Sequence, residues 1–538
     1  MGRALPAVYL LLAMALAVAV LPTVLRPPPE QQQSSAALNP NAPPEEEAET
    51  IIQSLRQAAS RTAGATGGEQ TAPATTTTTI VKPGRGRCFG DPPRQTESAY
   101  APPCRAAFTG DNGGGTWTNV TGEEIRIAFW HVLGMPAERG PIEDTAPPGE
   151  DAAHRTARVL QQYFNERYEM YGRRLQLWAI EDSGDAEADQ RASAVRQAVE
   201  TKAFVATHLA APFCEEFTRH ELVCFNGNGF QKSIYAEHDP YWWSYQMDTD
   251  TVDQLAGEYI CKKLVGRNAD FAGTGIKGQP RKIAVLVESN INNNFRTSGN
   301  IARVAREICG FDPFHIDFAK PEEIASALAQ VRAGGYTTLV LEASLLNVIQ
   351  FWGGAEANQY FPEWVMINSY GLDFNDAARL TGQPGQLAHT FGMSGWELPQ
   401  AFEDTDCFRA YKSVDPTTNP DANFCRLHWI DLEHIANGIQ EAGPELTPES
   451  FRDGLYAMPL RNADKERPYA IGGGYSPGDH SFVDNLAEIW WNPECSDIDG
   501  GEPGCWFYVQ NGKRFRPGEL DDVVRVFSDG VRGLESTG

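Results

Sequence analysis

Short apolar segments alternate with longer segments of helical periodicity along the chain after residue 121. Strands are predicted by the apolar segments at 125–132, 174–180, 203–208 and 222–225. Helices are predicted by the segments of helical periodicity at 152–171 and 185–200. A second series has strands at 282–288, 314–318, 337–342, 364–368 and 388–393, with helices at 294–308, 321–333, 344–351 and 374–380. Strands that alternate with helices are typical of parallel sheets with crossover helices, so we predict an α/β fold.

The two series predict two doubly wound parallel-sheet lobes, lobe 1 over 119–279 and lobe 2 over 280–398, separated by the Gly- and Lys-rich stretch 268–279. Further helices are predicted at 401–412, 422–441 and 447–457, and strand-like segments at 482–491 and 505–510. The chain therefore continues after both lobes are built. We expect residues 399–538 to form a return segment that packs on both lobes and contributes to a multi-crossing hinge.

The N-terminal 118 residues have a different pattern. Residues 4–25 form a charge-free apolar run, long enough to span a hydrocarbon core of about 30 Å. Residues 1–26 are predicted to be either a cleaved signal peptide or an uncleaved signal anchor, and both interpretations stay open. Residues 27–118 are rich in Pro, Thr, Ala and Gln, which predicts a disordered tether.

Composition narrows the classes of partner. Apolar residues make up 41% of the 538 residues, enough for full-sized cores in two or three folded units. Lys and Arg number 45 against 71 Asp and Glu, a net charge of −26. This charge would repel phosphate backbones, so nucleic acid is excluded as an expected partner.

The ten cysteines indicate the compartment. Their even number, behind a segment that enters the membrane, predicts disulfides and an extracytoplasmic protein, either secreted or held in the cell envelope. No C-x-x-C is present, and His428 and His434 are six residues apart, so we expect no metal site. Nearest-neighbour pairing is the simplest of the open connectivities: Cys88–Cys104, Cys214–Cys224, Cys261–Cys309, Cys407–Cys425 and Cys495–Cys505.

Motifs for catalysis are poor. The run from Gly392 to Trp396 falls short of G-x-S-x-G because its fifth position is Trp. The Gly-rich stretches at 273–275 and 472–474 lack the Lys-Ser/Thr ending of a phosphate-binding loop. We therefore expect no enzyme activity and no cofactor.

Several short motifs occur in fixed order over residues 120–510. They are Val120-Thr121, Tyr241-Trp242-Trp243-Ser244, Pro280-Arg281-Lys282, Pro362-Glu363-Trp364, Asp373 with Ala378-Arg379, Phe391-Gly392-Met393-Ser394 and Ser476-Pro477-Gly478-Asp479-His480. Their order resembles the type I periplasmic binding-protein family, the branched-chain amino-acid binding class, and in particular its divergent ABC-transporter substrate-binding members from actinobacterial envelopes. The resemblance implies a two-lobed receptor that binds a small molecule in the cleft, with an ABC permease as partner.

The resemblance, and the general rule for open α/β sheets, place the ligand against loops that leave the carboxyl ends of strands. Position in the strand order makes the following residues candidate ligand contacts: Trp130, His131, His208, Ala210, Ala211, Asn226, Asn228, Tyr241, Trp242, Ser244, Glu288, Ser289, Asn290, Glu342, Ser344, Asn368, Ser369 and Tyr370. Amino-acid-binding members carry a small hydroxyl residue after the third strand, whereas this chain has His208 to Pro212. The aromatic loops favour an apolar, aromatic or sugar-like ligand instead.

For several candidates a structural role stays open. Trp242 and Trp243 are adjacent, so in an extended segment only one can face a cleft. His131 and His208 can share the cleft or be ordinary core histidines. Glu288 and Glu342 can accept from a ligand, serve as charges at helix N-termini or form surface ion pairs.

The function expected from these observations is an extracytoplasmic solute-binding protein, either secreted or anchored through its N-terminal segment, that delivers a small molecule for ABC-type uptake. The alternative is an envelope receptor or scaffold with the same fold and no transported ligand. A hydrolase is the third hypothesis.

Overall fold

The computed structural model describes residues 93–130, 140–181, 183, 187–208, 211–289, 299–368, 371–465, 467–498 and 503–534. The expected membrane segment at 1–26 and most of the expected tether lie outside these ranges. Among the described residues, no helix is both long and apolar enough to cross a bilayer.

The first sheet has the strand order β2-β3-β1-β4-β5-β6. All neighbouring strands pair in parallel except the short β2, which runs antiparallel to β3 at one edge. Its strands are β1 (Glu124–Trp130), β2 (Gly140–Pro141), β3 (Arg174–Ile180), β4 (Val205–Thr207), β5 (Val223–Asn226) and β6 (Trp242–Ser244). The helices between them are α1 (Ala152–Arg167), α2 (Glu187–Glu200), α3 (Ala211–Arg219) and α4 (Lys232–Glu237).

The second sheet has the order β13-β12-β11-β10-β9-β7-β8, with β14 paired to β12. Strands β7 to β11 are parallel, whereas β12 to β14 are antiparallel additions from the C-terminal part of the chain. The strands are β7 (Ile283–Glu288), β8 (Phe314–Phe318), β9 (Thr338–Glu342), β10 (Glu363–Ile367), β11 (Thr390–Ser394), β12 (Leu486–Ser496), β13 (Pro503–Tyr508) and β14 (Arg514–Phe515). The helices are α5 (Thr249–Tyr259), α6 (Asn300–Cys309), α7 (Pro321–Ala333), α8 (Leu345–Ala357), α9 (Asn375–Leu380) and α10 (Pro384–Leu387).

The predicted α/β class with two sheets is confirmed, although both sheets are mixed rather than purely parallel. The central strands are buried on both faces, as in β7, whose six residues are all buried. Strands covered by helices on both sides need a continuous apolar run, which is why the apolar segments indicated them.

Three helices follow the second parallel series and return to the first sheet. They are α11 (Asp406–Val414), α12 (Ala422–Ala442) and α13 (Pro448–Ala457). Helix α11 packs on α1, α12 packs on α1 and β5, and α13 packs on α12. The chain then goes back to the second sheet as β12.

Three crossing segments join the two sheets in the described structure: residues 245–248, 395–405 and 471–485. The first lies before α5, because α5 packs on α6 and on the second sheet. Its Tyr259 hydroxyl donates to Glu488 on β12. The crossover thus precedes the 268–279 stretch, where a boundary was expected from composition.

The C-terminal end of the expected tether is folded. We call residues 93–108 the N-terminal strap. Its residues Gln95, Thr96 and Tyr100 are almost completely buried. The Ser98 hydroxyl and the Ala99 N–H both donate to Asp406 at the start of α11. Disorder is therefore a wrong description of this part of 27–118, because these side chains fill space between α11, α12 and the crossing segments.

Four of the expected disulfides are confirmed: Cys214–Cys224, Cys261–Cys309, Cys407–Cys425 and Cys495–Cys505. Cys104 is also disulfide-bonded, and Cys88, its expected partner, lies outside the described residues. Several disulfides in one chain are typical of proteins that mature outside the cytoplasm.

Candidate functional site

A cleft lies between the carboxyl ends of strands from both sheets. It has an empty volume of about 370 Å³, part of it open to solvent. Its walls follow β5 and β6 on one side and β10 and β11 on the other. The lining residues are Asn228, Gly229, Gln246, Met247, Thr249, Val252, Asn368, Gly371 and Trp396.

The wall from the first sheet is held by main-chain contacts. The Ser244 hydroxyl, at the end of β6, donates to the Asn228 carbonyl oxygen at 2.9 Å. Gly229 lies against the Met247 carbonyl so closely that a Cβ atom would overlap it. Glycine is therefore required at position 229 for the loop after β5 to meet the first crossing segment.

The first crossing segment and the first residue of α5 each supply one buried polar side chain. Gln246 and Thr249 are 6% and 4% exposed, respectively. The Gln246 Nε2 and Thr249 Oγ1 atoms have no hydrogen-bond partner among the described residues. Between them, Asp248 caps helix α5 by accepting from the Thr251 N–H at 2.8 Å. Asp248 is engaged by this cap, whereas Gln246 and Thr249 keep hydrogen-bonding capacity at the cleft.

The wall from the second sheet is organised by Asn368, which follows β10. Its φ of 52° lies in the left-handed region, which Asn tolerates better than most residues. The Asn368 Oδ1 atom accepts from the Gly395 N–H at 3.1 Å, and its own N–H donates to the Met393 carbonyl. The Oδ1 atom and the main-chain N–H of Asn368 are thus both engaged. The side-chain NH2 group is its remaining hydrogen-bond donor.

Trp396 is the aromatic surface of the cleft. Its indole Nε1–H donates to Asp373 Oδ1 at 3.0 Å, and its ring lies 4.2 Å from that of Phe374, centroid to centroid. Burial raises the pKa of Asp373 to about 6, an increase opposed by hydrogen bonds from Ser394 and Trp396. These contacts orient the half-buried indole at the end of β11.

Arg514 lies behind Trp396 but is engaged by the protein itself. Its Nη1 donates to the Trp396 carbonyl, its Nη2 to the Gly395 and Asn485 carbonyls, and its Nε to the Asn485 side chain. All three guanidinium nitrogens therefore hold the second and third crossing segments together.

Two of the residues predicted from the sequence, Asn228 and Asn368, line this cleft. Asn226 is buried at the end of β5, and Ser244 supports the wall from behind. His131, Ala210, Asn290, Ser369 and Tyr370 lie outside the described residues, and Ala211 begins α3.

Trp130 and His208 come together at the ends of the neighbouring strands β1 and β4. Their ring centroids are 4.6 Å apart, and the His208 ring stacks on Phe213 at 3.5 Å. Burial lowers the pKa of His208 to about 3, so the imidazole is neutral at physiological pH. This environment favours the interpretation of His208 as a core aromatic side chain.

The Tyr241–Ser244 segment was expected to face the ligand, and the structure places it differently. Tyr241 precedes β6, at the amino end of that strand, which is opposite the cleft. Trp242 and Trp243 are both fully buried and belong to separate apolar clusters, as adjacent residues of a strand must. Neither indole lines the cleft.

Glu288 and Ser344 meet at the N-terminus of α8. The Glu288 Oε2 atom accepts from the Ser344 N–H at 2.7 Å. Glu342 is fully buried and accepts from the Ile367 N–H, while Ser289 bonds to the Phe318 carbonyl. The Glu288 contact matches the helix N-terminal alternative, because its carboxylate accepts at the start of α8. Glu342 instead accepts from the neighbouring strand β10 in the core, so it is neither a helix N-terminal charge nor a surface pair.

Sequence reasoning missed Gln246, Met247, Thr249, Val252, Gly371 and Trp396. Trp396 follows the carboxyl end of β11, so the rule used for the other loops would have included it. Gln246, Met247, Thr249 and Val252 are harder to recognise from the sequence. No local pattern shows that α5 crosses to the second sheet.

In the part of the chain that the structure describes, no group of three or more His, Cys, Asp or Glu residues is arranged to hold a metal ion. No protein-family model and no curated protein matches the chain.

Solved structures do match. A type 1 periplasmic binding protein from Bordetella pertussis Tohama I has a TM-score of 0.50 at 12% identity, covering 71% of this chain and all of that one. A solute-binding protein from R. palustris in complex with 4-hydroxybenzoate has a TM-score of 0.48 at 9% identity. That match covers 71% of this chain and 97% of the other. A branched-chain amino-acid transporter substrate-binding protein from Streptococcus pneumoniae, in complex with isoleucine, has a TM-score of 0.46 at 13% identity. That match covers 72% of this chain and 100% of the other.

The match at 0.50 and the sheet topology agree with the resemblance found in the sequence. At this identity they establish the fold and nothing finer. The chain has the fold of the type I periplasmic binding proteins.

Proposed function

We propose that this protein is an extracytoplasmic solute-binding protein that closes two lobes on a small molecule and delivers it to an ABC-type permease without bond chemistry. In this proposal residues 1–26 direct the chain into or across the membrane, and the following segment tethers the lobes. The disulfides support an extracytoplasmic location.

The observation that carries the proposal is the composition of the cleft. Its walls come from both units, with Asn228 and Gln246 next to the first sheet and Asn368 and Trp396 next to the second. A ligand that contacts both walls favours the closed arrangement by its extra contacts there. Three crossing segments beside the cleft are suited to act as the hinge for that motion.

The test is a thermal-shift screen of the full chain against metabolite fractions, followed by small-angle scattering with each hit. We expect a small molecule that raises the melting temperature and reduces the radius of gyration. Trp396→Ala should weaken binding at least about tenfold, the size of effect found when a central aromatic contact is removed. Trp178→Ala, a half-buried tryptophan on β3, should leave the affinity unchanged.

A screen without any stabilising fraction, or a hit that binds Trp396→Ala as tightly as the wild type, would contradict the proposal. The envelope receptor or scaffold would then be the better description. Capture of a protein partner by the chain without any small molecule is the result expected of that alternative.

A further inference from the structure

The cleft wall contains no charged side chain among its described residues. We propose, resting on the function above, that its ligand is an electrically neutral ring compound with hydrogen-bond acceptors, such as an aromatic or heterocyclic amide. Three features of the described residues carry this assignment: no cation among them is available to the cleft, two buried polar groups at the wall have no partner among them, and the indole of Trp396 is oriented.

A ligand carboxylate would need a cation or several free donors to replace its hydration. Arg514 is the cation behind Trp396, and its three nitrogens already donate to main-chain carbonyls and to Asn485. Lys232 lies 3.6 Å from Asp248 and balances that carboxylate. The charged groups near the wall are thus engaged with one another or with the protein.

The carboxylates around the cleft would repel a bound anion. Asp248 caps α5 directly between two lining residues, and Asp373 accepts from Trp396. A bound anion would lie near both carboxyl groups, and like charges at short range oppose binding. A ligand ammonium group would find each of these carboxyl oxygens already hydrogen-bonded or buried behind the wall. The surroundings favour a ligand without formal charge.

The donors point to acceptors on the ligand. Gln246 Nε2 and Thr249 Oγ1 are buried at the wall and have no partner in the described residues. A buried donor without an acceptor destabilises the folded protein, so such groups normally find a partner. The Asn368 amide faces the same cleft from the other wall. An amide or carbonyl oxygen on the ligand would satisfy these groups without introducing charge.

The aromatic surface accounts for the ring. Trp396 is fixed by Asp373 on its indole nitrogen and by Phe374 on its ring, so it offers a preset apolar surface to the cleft. Met247 and Val252 complete the apolar lining. A flat ring packs favourably against such an indole, in addition to the effect of the apolar area that it buries.

The test uses pairs of probes with the same ring, in which a neutral amide replaces a charged carboxylate: benzamide against benzoate, and 4-hydroxybenzamide against 4-hydroxybenzoate. Leucine is added as a zwitterionic probe. Binding to the full chain is measured by calorimetry at pH 7. We expect each amide to bind at least about tenfold more tightly than its carboxylate. A carboxylate or leucine that binds as tightly as the amides would overturn the inference, as would a panel in which no amide binds.

Variants separate this inference from the proposed function. Gln246→Leu should reduce amide affinity about tenfold and leave the melting temperature of the ligand-free protein equal or higher, because the wild-type donor is unsatisfied. Thr249→Val should act in the same direction, and Gln330→Leu, at an exposed position of α7 outside the cleft, should change neither value. If metabolite fractions stabilise the protein and the amides do not bind, the solute-binding function stands and the ligand class is overturned.

Discussion

Asp431 is a buried carboxyl on α12, where burial raises its pKa to about 8. The unfolded chain has the ordinary value near 4, so the folded state binds this proton more tightly. The contribution of Asp431 to stability is therefore complete below about pH 4 and is lost as the pH rises through 8.

Asp431→Asn removes this titration. We expect the variant and the wild type to have similar free energies of unfolding at pH 4, and the variant to be more stable at pH 8, by up to about 5 kcal/mol. Urea denaturation at pH 4, 6 and 8 measures the difference. A constant difference between the two proteins at all three values would contradict the expectation.

Asp415 provides a control of opposite sign. Burial opposes its ionisation, but hydrogen bonds from Thr417 and Thr418 outweigh burial and hold the pKa of Asp415 well below its usual range. A carboxylate with a lowered pKa stabilises the fold above the ordinary value and loses that effect in acid. Asp415→Asn should therefore destabilise the protein at pH 7, and the two variants should diverge as the pH rises.

At the scale of elements, the N-terminal strap meets two crossing segments at one side chain. The Tyr100 hydroxyl donates to Glu397 at 2.6 Å and accepts from the Ile471 N–H at 3.1 Å. Desolvation raises the pKa of Glu397 to about 7, so this carboxyl depends on its few polar partners. The strap is thus part of the region that joins the two sheets.

Tyr100→Phe keeps the ring and removes both hydrogen bonds. We expect a loss of about 1–3 kcal/mol in the free energy of unfolding, because Glu397 and Ile471 each lose a buried partner. Denaturation at pH 7 measures it. Tyr336→Phe, which changes a partly exposed tyrosine, should fall within about 0.5 kcal/mol of the wild type. Equal effects of the two changes would show that the strap contributes packing alone.

Most long elements were predictable from local pattern. Strands β3 and β8 and helix α7 begin and end at the predicted residues, since each has a clear apolar period and a turn on either side. The two-residue strands β2 and β14 and the short helix α4 were not predicted. All three are too short to show an apolar period. Pairing with another strand of the sheet defines β2 and β14.

At the scale of the whole molecule, Arg514 from β14 ties the second crossing segment to the third. A lysine there has one nitrogen in place of three and cannot reproduce the planar set of donors. Arg514→Lys should lower the free energy of unfolding by at least about 2 kcal/mol, since buried carbonyls would lose their donors. Chemical denaturation checks this. Arg532→Lys, near the C-terminus, should have little effect, and a similar loss in both variants would contradict a specific role.

The sequence by itself determined the α/β class and the two series of strands, because both depend on local period. It left the disulfide connectivity open, and the tertiary structure selected nearest-neighbour pairing for four pairs by bringing those cysteines together. The sequence also indicated which ends of the strands would bear the cleft, and hence Asn228 and Asn368. Tertiary structure alone decided that α5 packs on the second sheet, that Trp396 and Gln246 meet in the cleft, and that Trp242 is buried in the core. The first two outcomes depend on contacts between residues more than a hundred positions apart. The burial of Trp242 depends on how Phe230, Tyr235 and the first sheet pack around it. No local pattern encodes this packing.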